Sequence, residues 1–187
     1  MVQLPLKPLT LEEFLQQPES EPAYEYINGE IRQKPMPQGK HSILQRELCF
    51  ASTVAFKPKK MVQALPELRC NFGGGSIVPD ISIFRAHRIP TDSNGMIANA
   101  FNLSPDWIIE ILSPNQNQTN VIRNILHYLD YETEYGWLVD PNESCLFVYG
   151  KNQSVKVFEN TKSPFPVPAF AQPLKLSVKD IFNGLKI

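Results

Sequence analysis

The sequence has no excess of basic residues: 18 Lys and Arg stand against 19 Asp and Glu, for a formal net charge of -1. Such a balance leaves no global positive field to hold nucleic acid non-specifically, so any contact with phosphates must be local. Cysteine is scarce. Cys49, Cys70 and Cys145 are odd in number, far apart and without C-x-x-C spacing, which argues against a disulfide framework and against a zinc site. The expectation is a reduced, cytoplasmic protein with thiols in its core. No stretch approaches the ~18 apolar residues of a membrane span, and the N-terminus lacks an apolar signal core. A phosphate-binding P-loop is missing too, because Gly73-Gly74-Gly75 runs into β-branched residues instead of Gly-Lys-Ser/Thr and a helix.

What is present reads as one folded domain over 1–187, without repeats or a visible boundary. Prolines fall at segment borders, such as Pro35, Pro66, Pro105, Pro114 and Pro141, and punctuate the chain. Thr10 with Glu13 has capping-box form and predicts a short helix. Tyr24 to Arg32 is two alternating runs around Asn28-Gly29, a strong hairpin signal, with alternation leaving Glu25 and Glu30 facing water. Ile43 to Ala55 has helical spacing. His41 precedes it, where an exposed imidazole can reach a phosphate or do nothing.

Three strands are predicted next, over Met61–Leu65, Glu67–Phe72 and Ser76–Phe84, with the glycines as a hairpin turn. A polar loop follows over 85–104. Trp107 to Leu112 reads as a strand buried on both faces, Thr119 to Glu134 as a helix, and Trp137 to Phe158 as a strand meander. Ser177 caps a short terminal helix. The fold class is mixed α/β (α+β), with helices flanking one central sheet.

Two of these apolar runs carry a carboxylate in mid-course: Asp80 in Ile77–Ile83 and Glu110 in Trp107–Leu112. An unpaired carboxylate in a sheet core is costly, and two invite a shared cation. If the strands are neighbours the carboxylates converge, and a hard divalent ion such as Mg²⁺ or Mn²⁺ is the natural partner of oxygen ligands with waters and phosphate. Such an ion activates water and neutralises charge at a phosphodiester. Salt-bridged acids at strand ends give the same pattern, so the residues alone leave both readings open.

Pro79-Asp80 followed by Glu110 resembles the acidic half of the PD-(D/E)XK nuclease motif. More closely, Tyr24–Glu30, the Gly-rich turn into Val78-Pro79-Asp80, Glu110–Pro114 and Tyr135–Pro141 are similar to the Uma-two family of restriction-endonuclease-like proteins, over about Leu11 to Phe182. The resemblance implies a restriction-endonuclease-like core with a central mixed sheet flanked by helices. It implies Asp80, Glu110 and the backbone carbonyl of Ile111 as Mg²⁺ ligands, and a lysine that positions the attacking water. The pattern breaks at that lysine. Leu112 stands two residues after Glu110, and the helix position to which the family moves its lysine is Asn124, with Asn120 one turn earlier at an acidic position.

Asparagine holds a water or a phosphate oxygen but carries no charge. Arg123 is turned about 100° round the helix from that face, though its charge can assist a phosphate. Three functions therefore stand: a Mg²⁺-dependent endodeoxyribonuclease, a degenerate relative that binds nucleic acid or a protein partner without cutting, and a purely structural or interaction domain, which rests on the near-neutral charge. DNA is the implied partner, with His41 and Arg123 as substrate contacts. Lys57, Lys59, Lys60, Arg85 and Arg88 are further local cations. A duplex cutter addresses two strands, which fits a homodimer. Tyr128 and Trp137 read as core aromatics.

Overall fold

The computed structural model describes residues 9–57 and 62–186. Met61, Lys59 and Lys60 lie outside them. The elements follow in the order α1 (Leu11–Leu15), β1 (Tyr24–Ile27), β2 (Glu30–Gln33), α2 (Gly39–Phe56), β3 (Val62–Pro66), β4 (Cys70–Phe72), β5 (Gly75–Ile77) and β6 (Ile81–Arg85). After a loop come β7 (Trp107–Ile111), α3 (Gln118–Asp130), β8 (Tyr135–Asp140), β9 (Cys145–Gly150), β10 (Lys156–Glu159) and α4 (Val178–Asn183).

A six-stranded sheet, in the order β10-β9-β8-β7-β6-β3, is the spine of the fold. It is antiparallel except for β7 and β8, and α3 is the crossover that a parallel pair requires. β7 is buried along its whole length and alternates its side chains between two cores. Trp107, Ile109 and Ile111 face a cluster with Leu44 and Leu48 of α2, Trp137 and Val139 of β8, and Val178 and Ile181 of α4. Ile108 faces the other way, into a cluster with Val121, Ile125 and Tyr128 of α3. Trp107 and Trp137 meet edge-on at 4.7 Å between ring centroids, a favoured geometry for aromatic pairs.

The structure departs from the sequence reading in having a second sheet, β2-β1-β5-β4, instead of one. The expected strand over Ser76–Phe84 is divided. β5 pairs with β1 and β4 in the small sheet, whereas β6 pairs with β3 and β7 in the large one. Val78-Pro79-Asp80 is the passage between them. Proline has no N–H to give to a ladder, so its place in mid-run marks where the pairing changes sheet. The hairpin forms as read: Asn28 and Gly29 take φ of 51° and 83°, the left-handed pair that a tight two-residue turn needs. Thr10 and Ser177 both cap their helices through capping boxes.

The polar loop over 85–104 is tied down by charge. Asp106, fully buried, accepts the Arg85 backbone amide at 2.8 Å and lies 2.5 Å from the Arg85 guanidinium and 2.8 Å from that of Arg88. Arg88 also pairs with Glu132. These two arginines, local cations that could have met phosphate, are held by the protein's own carboxylates. Burial pushes the Cys70 thiol up to about 12, consistent with the expected inert core thiols.

Gly136 of β8 sits under α3, where an added Cβ would lie 2.5 Å from Ile125 Cγ2. Gly136→Ala should therefore destabilise the fold by about 1–3 kcal/mol through overpacking, read as a lower urea midpoint with unchanged slope.

Candidate active site

The antiparallel register of β6 on β7 pairs Ile81 with Ile109 and Ser82 with Ile108. One step further, that register sets Asp80 opposite Glu110. Like charges facing each other across a ladder are destabilising, and both side chains are buried, so the pair needs other groups to hold it. Asp80 is held by three donors. The Ile111 amide donates to Oδ2 at 2.7 Å, His41 Nε2 lies 3.1 Å from the same oxygen, and the Lys34 ammonium donates to Oδ1 at 2.7 Å.

Burial alone would raise the Asp80 pKa, but Lys34 foremost and then His41 hold it well below the usual carboxylate range. Glu110 has a thinner shell, with the Asp80 backbone amide as a donor. Its Oε1 is buried with no hydrogen-bond partner in the protein. Burial, then the Asp80 charge, push its pKa well up, against the opposing pull of Lys34.

A third carboxylate completes the group. Glu25 was read as facing water; it is instead buried, accepting the Val78 amide at 2.9 Å and the Asn124 side-chain amide at 3.0 Å. The hairpin alternation was correct, but the face is covered by the Val78–Asp80 passage and by α3. Burial raises its pKa, with Lys34, the Val78 amide and Asn124 opposing.

Lys34 follows directly after β2, its backbone amide bonded to Ala23 across the hairpin. Its ammonium donates at 2.7 Å each to Asp80 Oδ1 and the Val78 carbonyl, and lies 3.3 Å from Glu67. Burial disfavours its charge, but Asp80, then Glu110, Glu67 and Glu25, raise its pKa above the ordinary lysine value. Gln45 of α2 closes this side, bridging Glu67 and the Asp80 carbonyl at 2.8 and 2.9 Å.

His41 is not the exposed imidazole that the sequence reading allowed. Helix α2 begins at Gly39, two residues before it, so His41 sits in the first turn, buried against Asp80. Asn124 is buried beside Glu25, Asn120 lines the adjoining cavity, and Arg123 points to solvent. The sequence reading missed Lys34, Glu25 as a site residue, and Gln45. The signal for Lys34 was its position one residue past an identified hairpin, beside Pro35.

Two cavities open on the cluster. One, of about 420 Å³, is lined by His41, Gln45, Glu67, Arg69 and Asp80. The other, of about 460 Å³, is lined by Glu25, Glu110, Asn117, Asn120 and Asn124. Both are lined by Lys34 and Pro35.

A family model described as "Putative restriction endonuclease", Uma2, matches residues 11–179. The chain belongs to the Uma2 family. It is also similar, at 54% identity and a TM-score of 0.93 over 95% of this chain and 99% of the other, to a crystal structure from Anabaena variabilis described as a putative nuclease of DUF820. No curated protein matches it. The nuclease-fold core expected from the sequence is thus the fold of this Uma2 chain.

The buried acids fix how stability varies with pH in a chelator. The folded pKa of Glu110 lies above its unfolded value of 4.5, so its contribution is full below that value and is lost as pH rises through the folded pKa. Asp80 acts oppositely, its contribution being lost as pH falls below 3.8. Glu110→Gln should therefore be more stable than the native chain near neutral and alkaline pH, by roughly 1–3 kcal/mol, and nearly equal to it at about pH 4. Urea titrations across pH check this, and a Glu110→Gln variant no more stable than the native chain at neutral pH would contradict it.

Proposed function

We propose that this Uma2 protein is a divalent-metal-dependent endonuclease that hydrolyses DNA phosphodiester bonds at the Glu25, Asp80 and Glu110 cluster. The observation that carries the reading is a charge deficit. Three buried carboxylates face one ammonium, and Glu110 Oε1 has no partner in the protein. With all three ionised, the two uncompensated negative charges are what a divalent ion would neutralise, and such an ion would favour the ionised forms of Glu110 and Glu25 that burial alone disfavours. The donors are hard oxygens, which suit Mg²⁺ or Mn²⁺.

Among the described residues no three acidic, His or Cys side chains form a ready-made metal cage. That is compatible with Mg²⁺, which is bound through one or two carboxylates while waters and substrate phosphate fill the rest. Asp80, Glu110 and the Ile111 carbonyl would hold the ion, with Glu25 behind them. The bound ion would supply an activated water and charge neutralisation at the scissile phosphate.

The chain's own residues do the positioning. The Ile111 amide and His41 fix the plane of the Asp80 carboxylate, and Asn124 and the Val78 amide fix that of Glu25. The free oxygen of Glu110 is the acceptor left for a water or cation. The cavities on either side give room for the chain flanking the cut. Cutting both strands of a duplex requires two such sites, which a homodimer would provide. Among the described residues no helix is long and apolar enough to cross a membrane.

The test is cleavage of supercoiled plasmid with Mg²⁺ or Mn²⁺. Asp80→Asn keeps the shape of the side chain and avoids stranding Lys34 beside an empty space. It should lower the rate by at least ~10²-fold, the usual scale for losing one preorganised charge interaction. Cleavage indifferent to this change or to chelator would end the reading.

A second reading, binding without cleavage, is favoured by one observation: the position expected to carry an ammonium holds Asn124, whose amide is engaged by Glu25. Under it the native protein is inert and Asn124→Lys gains activity. Under the nuclease reading Asn124→Lys adds a cation to Glu25 and does not raise the rate.

A further inference from the structure

We propose that Lys34 is the phosphate-contacting ammonium of this site, doing from the end of β2 what Asn124 of α3 cannot. The inference rests on the nuclease reading for its substrate and goes beyond it in assigning a catalytic residue at a position that is neither in the Asp80–Glu110 strand pair nor on the following helix.

Four observations carry it. The Lys34 ammonium is 2.7 Å from Asp80 Oδ1, on the opposite edge of that carboxylate from the Ile111 amide and His41. It is not sealed in, since its side chain keeps 12% of its exposure and lines both cavities, so a chain running from one to the other crosses it. Its backbone is pinned to Ala23 and its ammonium to the Val78 carbonyl, so it is already in place before substrate arrives. Finally, α3 presents no cation on the face toward the cluster, Arg123 being exposed and Asn124 neutral.

A purely structural counter-ion for Asp80 would have no need to border two cavities. A lysine that bridges Asp80 and the scissile phosphate, exchanging its long 3.3 Å hydrogen bond to the exposed Glu67 for one to the substrate, would hold a non-bridging oxygen as negative charge builds during attack by water. The phosphorus–oxygen bond to the leaving sugar then breaks, and no redox partner is involved. Lys34 donates hydrogen bonds throughout and is not asked to give up its proton.

The experiment measures binding of a fluorescent oligonucleotide against NaCl concentration in saturating Ca²⁺, together with cleavage at saturating Mn²⁺. A lysine on a phosphate contributes about one unit to the slope of log affinity against log salt. Lys34→Met should therefore reduce that slope by about one and lower cleavage by at least ~10²-fold, and Lys34→Arg should keep the slope. Because Lys34→Met leaves Asp80 buried without its cation, the slope is also compared between Asp80→Asn and the double variant Asp80→Asn/Lys34→Met, in which that unpaired charge is gone. The same loss of about one unit is expected there.

An unchanged slope in both backgrounds, or full cleavage by Lys34→Met at saturating Mn²⁺, overturns the assignment while leaving a working nuclease. A native protein that binds the oligonucleotide with the Lys34-dependent slope yet never cleaves would overturn the nuclease reading and keep Lys34 as the phosphate contact. Failure of the native protein to bind the oligonucleotide at all overturns both.

Discussion

Asp80 and Glu110 stand opposite each other because β6 and β7 share one register, and that juxtaposition is the constraint around which the rest is built. Two buried carboxylates at facing positions repel, and Glu25 adds a third negative group from the neighbouring sheet. The small sheet makes sense in this light. Its hairpin delivers Glu25 from one strand and Lys34 from just past the other, while β5 feeds the chain into Val78-Pro79-Asp80. Helix α2 then closes the cluster from its first turns with His41 and Gln45, and α3 closes it with Asn124.

The molecule contains a further buried acid outside this cluster, and the contrast between the two settings is informative. Asp106 is fully buried, yet it meets two guanidinium groups and a backbone amide, so one carboxylate is matched by more than one cation. That arrangement fixes the long loop, with Glu132 and Glu134 accepting the outer faces of the arginines. At Asp80 the buried charges are balanced differently: three buried carboxylates meet one ammonium, one acidic oxygen has no partner, and two cavities adjoin. A structural ion cluster is complete within the protein. The Asp80 cluster is incomplete, and incompleteness beside open space is what a ligand site requires.

Much of this could be read from the sequence because the signals were local. The Asn28-Gly29 turn, the capping boxes at Thr10 and Ser177, the buried run of β7 and the two carboxylates all announce themselves within a few residues. What escaped was set by long-range contact. Alternation placed Glu25 correctly on one face of its hairpin, but only the passage through Val78 and the arrival of α3 ninety-nine residues later make that face an interior. Likewise Ile77 to Ile83 has unbroken β-branched character, so only pairing partners reveal that it belongs to two sheets. Lys34 has no motif around it; forty-six residues separate it from Asp80.

The proposed exchange of an ammonium on α3 for Lys34 at the end of β2 would alter more than its address. A lysine at position 124 would face Glu25, whereas Lys34 faces Asp80 and leaves Glu25 with a neutral amide donor. Were both present, the three carboxylates would meet two permanent cations, and the remaining deficit would be one charge. With Lys34 alone and all three ionised the deficit would be two, the charge that the proposed divalent ion would bring. Asn124 is thus consistent with a site that keeps one ammonium and moves it to a strand end, where a hairpin bond to Ala23 holds its backbone. A neutral amide there satisfies Glu25 without competing for the charge that the metal would bring.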